Sequence, residues 1–270
     1  MKTFLFIHGW ATDSHVWQGL AEEIAGENDI INLDLPGHGG PSRWALPTLD
    51  PAVVEVSKKI ATLPDRSVIG VGWSLGAQIL MAAAVRFEKK FSGIVLVGAT
   101  PCFVSKADFP SGQSPALVRR MIMDMKKDPA ATVERFYSLN FTEEEVTTPE
   151  AKGFMEYYKY PGPVKCTEAG AGPPGCFPAF RYEEITKALE ALYNADLRGI
   201  LEGIKIPVLI IHGTKDNVTP FEAGEYLAEN IKGAALERFE SAGHAPFITA
   251  RAGFIRRVKG YCEGLLRDAT

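Results

Sequence analysis

Six short apolar runs recur along the chain, at residues 3–7, 30–35, 67–71, 93–98, 207–211 and 235–239, with helical patterns between them. The runs are β-branched or aromatic, do not alternate with polar residues, and are bounded by Gly, Pro or Asp. They therefore predict strands buried on both faces. Val16, Leu20 and Ile24 mark a helix over 14–25, and Asp50-Pro51 opens one over 51–63. Residues 75–90 are apolar on nearly every side, as a helix laid on a sheet would be. A helix over 220–231 follows Thr219-Pro220, and Phe254, Val258, Tyr261, Cys262 and Leu265 carry the period of the last one. Strands alternating with helices connect through right-handed crossovers, which makes the sheet parallel. The expectation is an α/β fold: a mostly parallel sheet of about six strands, flanked by helices.

The alternation stops between residues 108 and 198. No strand signal lies there. Helix starts stand at Ser114-Pro115, Asp128-Pro129 and Thr148-Pro149, and Ile185, Leu189, Leu192 and Tyr193 share one face of a helix near 181–197. The expected organisation is a core formed by 1–107 and 199–270, with a helical lid (cap) inserted at 108–198. Residues 161–178, rich in Gly and Pro, read as a loop. A chain of 270 residues accommodates one large domain with such an insertion.

Charge and composition narrow the partners. The 29 Lys and Arg against 33 Asp and Glu give a net charge of −4, with no basic footprint for nucleic acid. No apolar run approaches the ~20 residues of a membrane helix. The apolar start at Met1–Ile7 is too short for a signal peptide and runs straight into His8-Gly9. Four cysteines are too few for a disulfide scaffold. A cytoplasmic monomer with reduced thiols is expected, without a membrane partner. Cys166 and Cys176 have neither zinc spacing nor a nearby histidine, so no metal and no cofactor are expected. Cys102 reads as packing, the stripe Leu117, Met121, Ile122 and Met125 as core, and Glu143-Glu144-Glu145 as a solvated run.

The strongest chemical signal is Gly72-Trp73-Ser74-Leu75-Gly76, set between the strand 67–71 and the helix 75–90. That is the context of a G-x-S-x-G nucleophile elbow, in which small residues leave room for a sharp turn and the serine Oγ projects above the sheet edge. Of five histidines, His244 follows the last strand and lies at the same edge as Ser74, which makes it the candidate base. His8 and His212 precede glycines at strand ends and read as satisfying local backbone. His38 reads as a loop residue and His15 as exposed. Asp216, just past the strand 207–211, is the candidate acid to orient the imidazole. Asp34 precedes the nucleophile and reads as a turn residue. Ser74, Asp216 and His244 stand in the chain order of this hydrolase architecture. Oxyanion donors are expected from the backbone N–H groups of Leu75 and Trp10, with Gly9 allowing the turn before Trp10.

These residues resemble the α/β-hydrolase superfamily over nearly the whole chain. More narrowly, the chain is similar to the pimeloyl-[acyl-carrier protein] methyl ester esterases of biotin synthesis. The narrower likeness rests on His8-Gly9-Trp10, Asp34-Leu35-Pro36-Gly37, the elbow with its Trp73, Thr100-Pro101-Cys102-Phe103, Thr132-Val133-Glu134-Arg135-Phe136, Ala195-Asp196-Leu197-Arg198 and His244-Ala245-Pro246-Phe247. The resemblance implies a serine carboxylesterase that cleaves the methyl ester of a pimeloyl-acyl-carrier-protein through an acyl-enzyme on Ser74. It also implies an acyl pocket lined by Trp10, Leu75 and Phe136, and an acidic carrier protein docked by lid arginines. Arg135 matches one of these arginines. The position four residues earlier is Ala131, and Lys152 is the candidate replacement for another. The antiparallel strands that usually precede the first parallel strand are expected to be missing.

Two other readings compete. One is a lidded hydrolase of the same fold acting on other small esters or on carbon–carbon bonds. The other is a non-catalytic ligand-binding protein, disfavoured because all three triad residue types are present. A haloalkane dehalogenase is disfavoured because its nucleophile would be Asp where this chain has Ser74.

Overall fold

The computed structural model describes residues 2–39, 41–159 and 181–267. The loop expected at 161–178, with Cys166 and Cys176, lies outside the described residues. Six strands form one sheet: β1 (Thr3–Ile7), β2 (Asp29–Leu33), β3 (Val68–Trp73), β4 (Phe91–Val97), β5 (Val208–Gly213) and β6 (Ala235–Phe239). Their spatial order is β2-β1-β3-β4-β5-β6, and every pair is parallel. The four inner strands are buried almost throughout. The two edge strands are half exposed, with only Leu33 and Phe239 buried, because each has a neighbour on one side only. The expectation of burial on both faces therefore holds for the inner strands and fails at the edges.

The helices of the core are α1 (Leu20–Ala25), α2 (Asp50–Ile60) and α3 (Leu75–Arg86). The helix expected over 14–25 is broken: a 3-10 turn at Ser14–Trp17 is separated from α1 by Gly19, whose φ of 69° no continuing α-helix adopts. Between β4 and β5 come α4 (Pro115–Lys127), α5 (Pro129–Leu139), α6 (Pro149–Tyr158) and α7 (Tyr182–Asn194). Proline occupies the first turn of α4, α5 and α6, as read from the sequence. Among the described residues this segment holds isolated bridges but no strand. The chain ends with α8 (Phe221–Asn230), α9 (Pro246–Thr249) and α10 (Arg251–Arg267). No helix among the described residues is long and apolar enough to cross a membrane.

Register brings the strand ends level. Ile7 pairs with Gly72, Trp73 with Val97, and Val97 with Ile211. The loops leaving β1, β3, β4, β5 and β6 therefore emerge together at one edge of the sheet, the place where a parallel sheet collects functional residues.

Candidate active site

Ser74 stands between β3 and α3 with φ 55° and ψ −114°, a conformation that costs a non-glycine residue on the order of 1–3 kcal/mol. The surrounding packing holds it there. A side chain on Gly72 would run into the Gly76 carbonyl, and one on Gly76 would fall 2.6 Å from His8 O. The Ser74 N–H donates to Val97 O at 2.9 Å, which ties the elbow to β4. Leu75 begins α3, so its N–H has no intrahelical acceptor.

Asp216 and His244 meet at 2.7 Å, from His244 Nδ1 to Asp216 Oδ2, and both side chains are fully buried. A carboxylate only accepts, so Nδ1 carries the proton and Nε2 of the neutral ring presents its lone pair. Nε2 is buried and meets no hydrogen-bond partner among the described residues, and Ser74 Oγ is not bonded to it. Trp73, next to the serine, holds the histidine: its indole N–H donates to His244 O at 2.9 Å, and the two rings lie 5.5 Å apart. Gly98, with φ 52°, lets the ring approach, since a Cβ there would sit 2.8 Å from His244 Nδ1.

Asp216 is crowded with donors. Oδ1 accepts the N–H groups of Val218 and Thr219, each at 2.8 Å, and Oδ2 accepts the Thr219 hydroxyl at 2.9 Å. Burial alone would raise this carboxyl. The electrostatic attraction of the His244 imidazole and the hydrogen bonds from His212 and His244 outweigh burial and hold it well below the usual carboxylate range. His212 lies 3.3 Å from Asp216 Oδ2 and donates from Nε2 to Thr219 O at 2.8 Å. It does satisfy local backbone, as expected, but it also belongs to the acid's cage. Neither His212 nor Thr219 was legible as a site residue. The H-G-x-x-D spacing at a strand end carried the signal for the first, and Thr219 read only as a helix start.

His8 and His38 are tied to local backbone. His8 Nδ1 donates to Gly9 O and Nε2 accepts the Leu35 N–H, while His38 Nδ1 donates to Pro36 O. Burial pushes the two rings down to about 4 and about 3. His15 is exposed and stacks on Tyr157. Asp34 accepts the Ser14 N–H, a turn role as expected.

Trp10 is buried. Its indole donates to Ile185 O at 2.7 Å, and Phe136 meets its ring edge-on at 4.9 Å. Leu75 and Phe136 are buried as well. Arg135 lies on the opposite, exposed side of α5. It donates to Thr132 Oγ1 and stands 3.7 Å from Asp124. It lines a separate surface cavity of about 840 Å³ with Ala131, Glu134, Lys152 and Lys159. The structure therefore separates the apolar trio from the arginine. The segment between β4 and β5 also grips the loop after β1: Tyr137 OH donates to Ala11 O at 2.6 Å, and Tyr158 OH to Asp13 Oδ1 at 2.8 Å. Among the described residues no group of three or more His, Cys, Asp or Glu could hold a metal.

A parallel sheet with a strained serine at a strand–helix elbow and a carboxylate–histidine pair beside it defines a hydrolase class. The chain belongs to the alpha/beta hydrolase fold family, which it matches over residues 2–250. It is 30% identical to the pimeloyl-[acyl-carrier protein] methyl ester esterase of Nitrosomonas europaea over 251 residues, covering 93% of this chain and 92% of that one. It is 33% identical to the protein of the same name from Aromatoleum aromaticum, covering 91% and 92%. Among solved structures, an esterase from Exiguobacterium antarcticum superposes with a TM-score of 0.82 at 24% identity, covering 97% of this chain and 92% of that one.

Proposed function

We propose that the protein is a serine carboxylesterase that hydrolyses the methyl ester of a pimeloyl-acyl-carrier-protein in biotin synthesis. The observation that carries the reaction type is the buried 2.7 Å Asp216–His244 pair beside the strained Ser74. The substrate rests on the relatives, which bear that activity in their names over more than nine-tenths of this chain.

In this reading Ser74 Oγ attacks the ester carbonyl while His244 Nε2 takes its proton. Asp216 holds the ring in the required tautomer and balances the imidazolium. The N–H groups of Leu75 and Trp10 receive the oxyanion. The tetrahedral intermediate collapses, and methanol leaves with the proton from His244. Water, deprotonated by His244, then attacks the acyl-enzyme. The free acid departs and Ser74 regains its proton. Trp10, Leu75 and Phe136 supply apolar wall for the acyl chain. Residues 108–198 act as the lid over this site.

The acidic carrier protein docks on the lid beside Arg135, Lys152 and Lys159, which line one cavity. Elsewhere on the lid Arg119 meets the Tyr193 hydroxyl, Arg120 meets Asp124 and Lys126 meets Glu190.

The test is an assay on pimeloyl-carrier methyl ester and on a short p-nitrophenyl ester. The wild-type protein is expected to turn over both, and Ser74→Ala neither. Arg135→Glu is expected to lose activity on the carrier substrate alone. Turnover by Ser74→Ala would overturn the mechanism. Good activity on simple esters with none on the carrier substrate would move the protein to another ester or to carbon–carbon bond hydrolysis.

A further inference from the structure

The sequence Glu143-Glu144-Glu145 reads as a solvated run, but its last member is not solvated. Thr142 and Glu145 form a reciprocal capping box. The Glu145 N–H donates to Thr142 Oγ1 at 3.1 Å, and the Thr142 N–H donates to Glu145 Oε2 at 3.0 Å. Closing that box fixes the direction of the carboxylate, and it points across the molecule to the histidine loop. There Oε2 also accepts the N–H of Gly243 at 2.8 Å, and Oε1 accepts the hydroxyl of Thr249.

A second bond runs alongside. The His244 N–H donates to Asn140 O at 2.8 Å, and Asn140 is itself fixed by its side-chain amide, which caps the carbonyls of Phe136 and Tyr137 at the end of α5. The two consecutive backbone amides that lead into the imidazole are thus both held by residues 140–145, outside the sheet. The contact is tight: a Cβ on Gly243 would sit 2.7 Å from Asn140 O and 2.8 Å from Glu145 Oε2. The ring itself is held by Asp216 at Nδ1, with the Trp73 ring 5.5 Å away, and the Trp73 indole N–H holds the His244 carbonyl. What remains to set the aim of Nε2 is the amide side of the backbone at 243–244, which Glu145 and Asn140 hold.

We infer that Glu145 is a positioning residue for the base: its carboxylate holds the Gly243-His244 backbone in the place from which Nε2 reaches the serine, so the helical segment between β4 and β5 sets the catalytic geometry. This rests on the reading of His244 as the base. Three donors converge on one carboxylate, and only two of its atoms are needed to accept them. Glutamine keeps an oxygen for the Gly243 and Thr142 N–H groups, and its amide can donate to Thr249 Oγ1 once that hydroxyl rotates. Alanine leaves all three donors unmet.

The test compares Glu145→Ala, Glu145→Asp and Glu145→Gln on a short p-nitrophenyl ester, with Ser74→Ala run in parallel. Misplacing a catalytic group by about 1 Å costs roughly 10- to 100-fold. Glu145→Ala is expected to lose that much in kcat with KM changed less than about threefold, and Glu145→Gln to recover to within about threefold of wild type. Labelling of Ser74 by a fluorophosphonate should slow in parallel with kcat. A folded Glu145→Ala with wild-type kcat would overturn the inference, and so would an equal loss in Glu145→Gln. If Glu145→Ala does not fold, Glu145→Asp decides. Its arm is one methylene shorter and does not reach Gly243, so wild-type kcat there also overturns the inference. Turnover by Ser74→Ala would instead remove the site reading itself.

Discussion

Two buried aspartates show how the number of donors decides the state of a carboxyl group. Asp216 takes two backbone N–H groups and a hydroxyl, and two imidazoles stand against it, so it stays ionised despite complete burial. Asp13 is also buried, but the donors on it are the Tyr158 hydroxyl, the His15 N–H and its own backbone N–H, and it lies near Asp34. Burial, only partly offset by those bonds, raises its carboxyl from 3.8 to about 6. A raised carboxyl pKa means that the folded state keeps its proton longer than the unfolded chain. Stability therefore falls as pH climbs from about 4 to about 6 and is level above that, a cost of about 3 kcal/mol at neutral pH. Asparagine keeps an acceptor for these donors and cannot ionise. Asp13→Asn is thus expected to be more stable than wild type by up to about 3 kcal/mol at pH 7.5 and equal to it at pH 4, as read by urea unfolding. Lower stability at pH 7.5 would show that the charge is compensated. Asp216 could be found from its place after β5 because a triad needs an acid there. Asp13 could not, since nothing in the local sequence says that α6 brings a tyrosine to it.

Among the elements, the β3–α3 elbow is the most constrained and the most legible. Its glycines are spaced by a rule whose cause is visible: Gly76 lies against the carbonyls of Ile7, the last residue of β1, and His8, so strand and helix touch through backbone. Gly153, inside α6, has nothing within 4 Å of where a Cβ would stand. The same substitution should therefore have opposite signs at the two sites. Gly76→Ala must push α3 from β1, at the upper end of the ~1–3 kcal/mol typical of overpacking or beyond it. Gly153→Ala should gain roughly 0.5–1 kcal/mol by restricting the unfolded chain. Thermal unfolding of the pair checks both, and stabilisation by Gly76→Ala would contradict the packing described. Helix starts marked by proline were legible for α4, α5 and α6 because the signal is local. The break at Gly19 and the exposure of β2 and β6 were not. An isolated glycine inside a helical pattern can be tolerated at a cost instead of ending the helix, and strand order is a property of the assembled sheet.

At the scale of the molecule, the buried histidines set the response to acid. Burial keeps His8 and His38 neutral in the fold, with values lowered to about 4 and about 3. Their contribution is complete above pH 6.5 and is lost as pH falls toward those values, because the unfolded chain takes up protons that the fold refuses. Asp13 acts in the opposite sense over the same range. Two protons less one leave a net uptake of about one on unfolding between pH 6 and 5, or about 1.4 kcal/mol lost per pH unit, with His15 adding in the same direction. Denaturant unfolding at the two pH values measures this, and a stability that is level or rises on acidification would refute it. The sequence by itself determined the parallel α/β class, the strand positions, the elbow and the order Ser74, Asp216, His244, because each is written in local pattern and spacing. It could not determine that Arg135 faces away from Phe136, that His212 and Thr219 cage the acid, or that Glu145 reaches the histidine loop. The first two turn on which side of a helix or loop is buried, and the last joins residues 98 apart in the chain. They exist only once the helices between β4 and β5 have packed against the sheet edge and side chains from separate segments share one buried space.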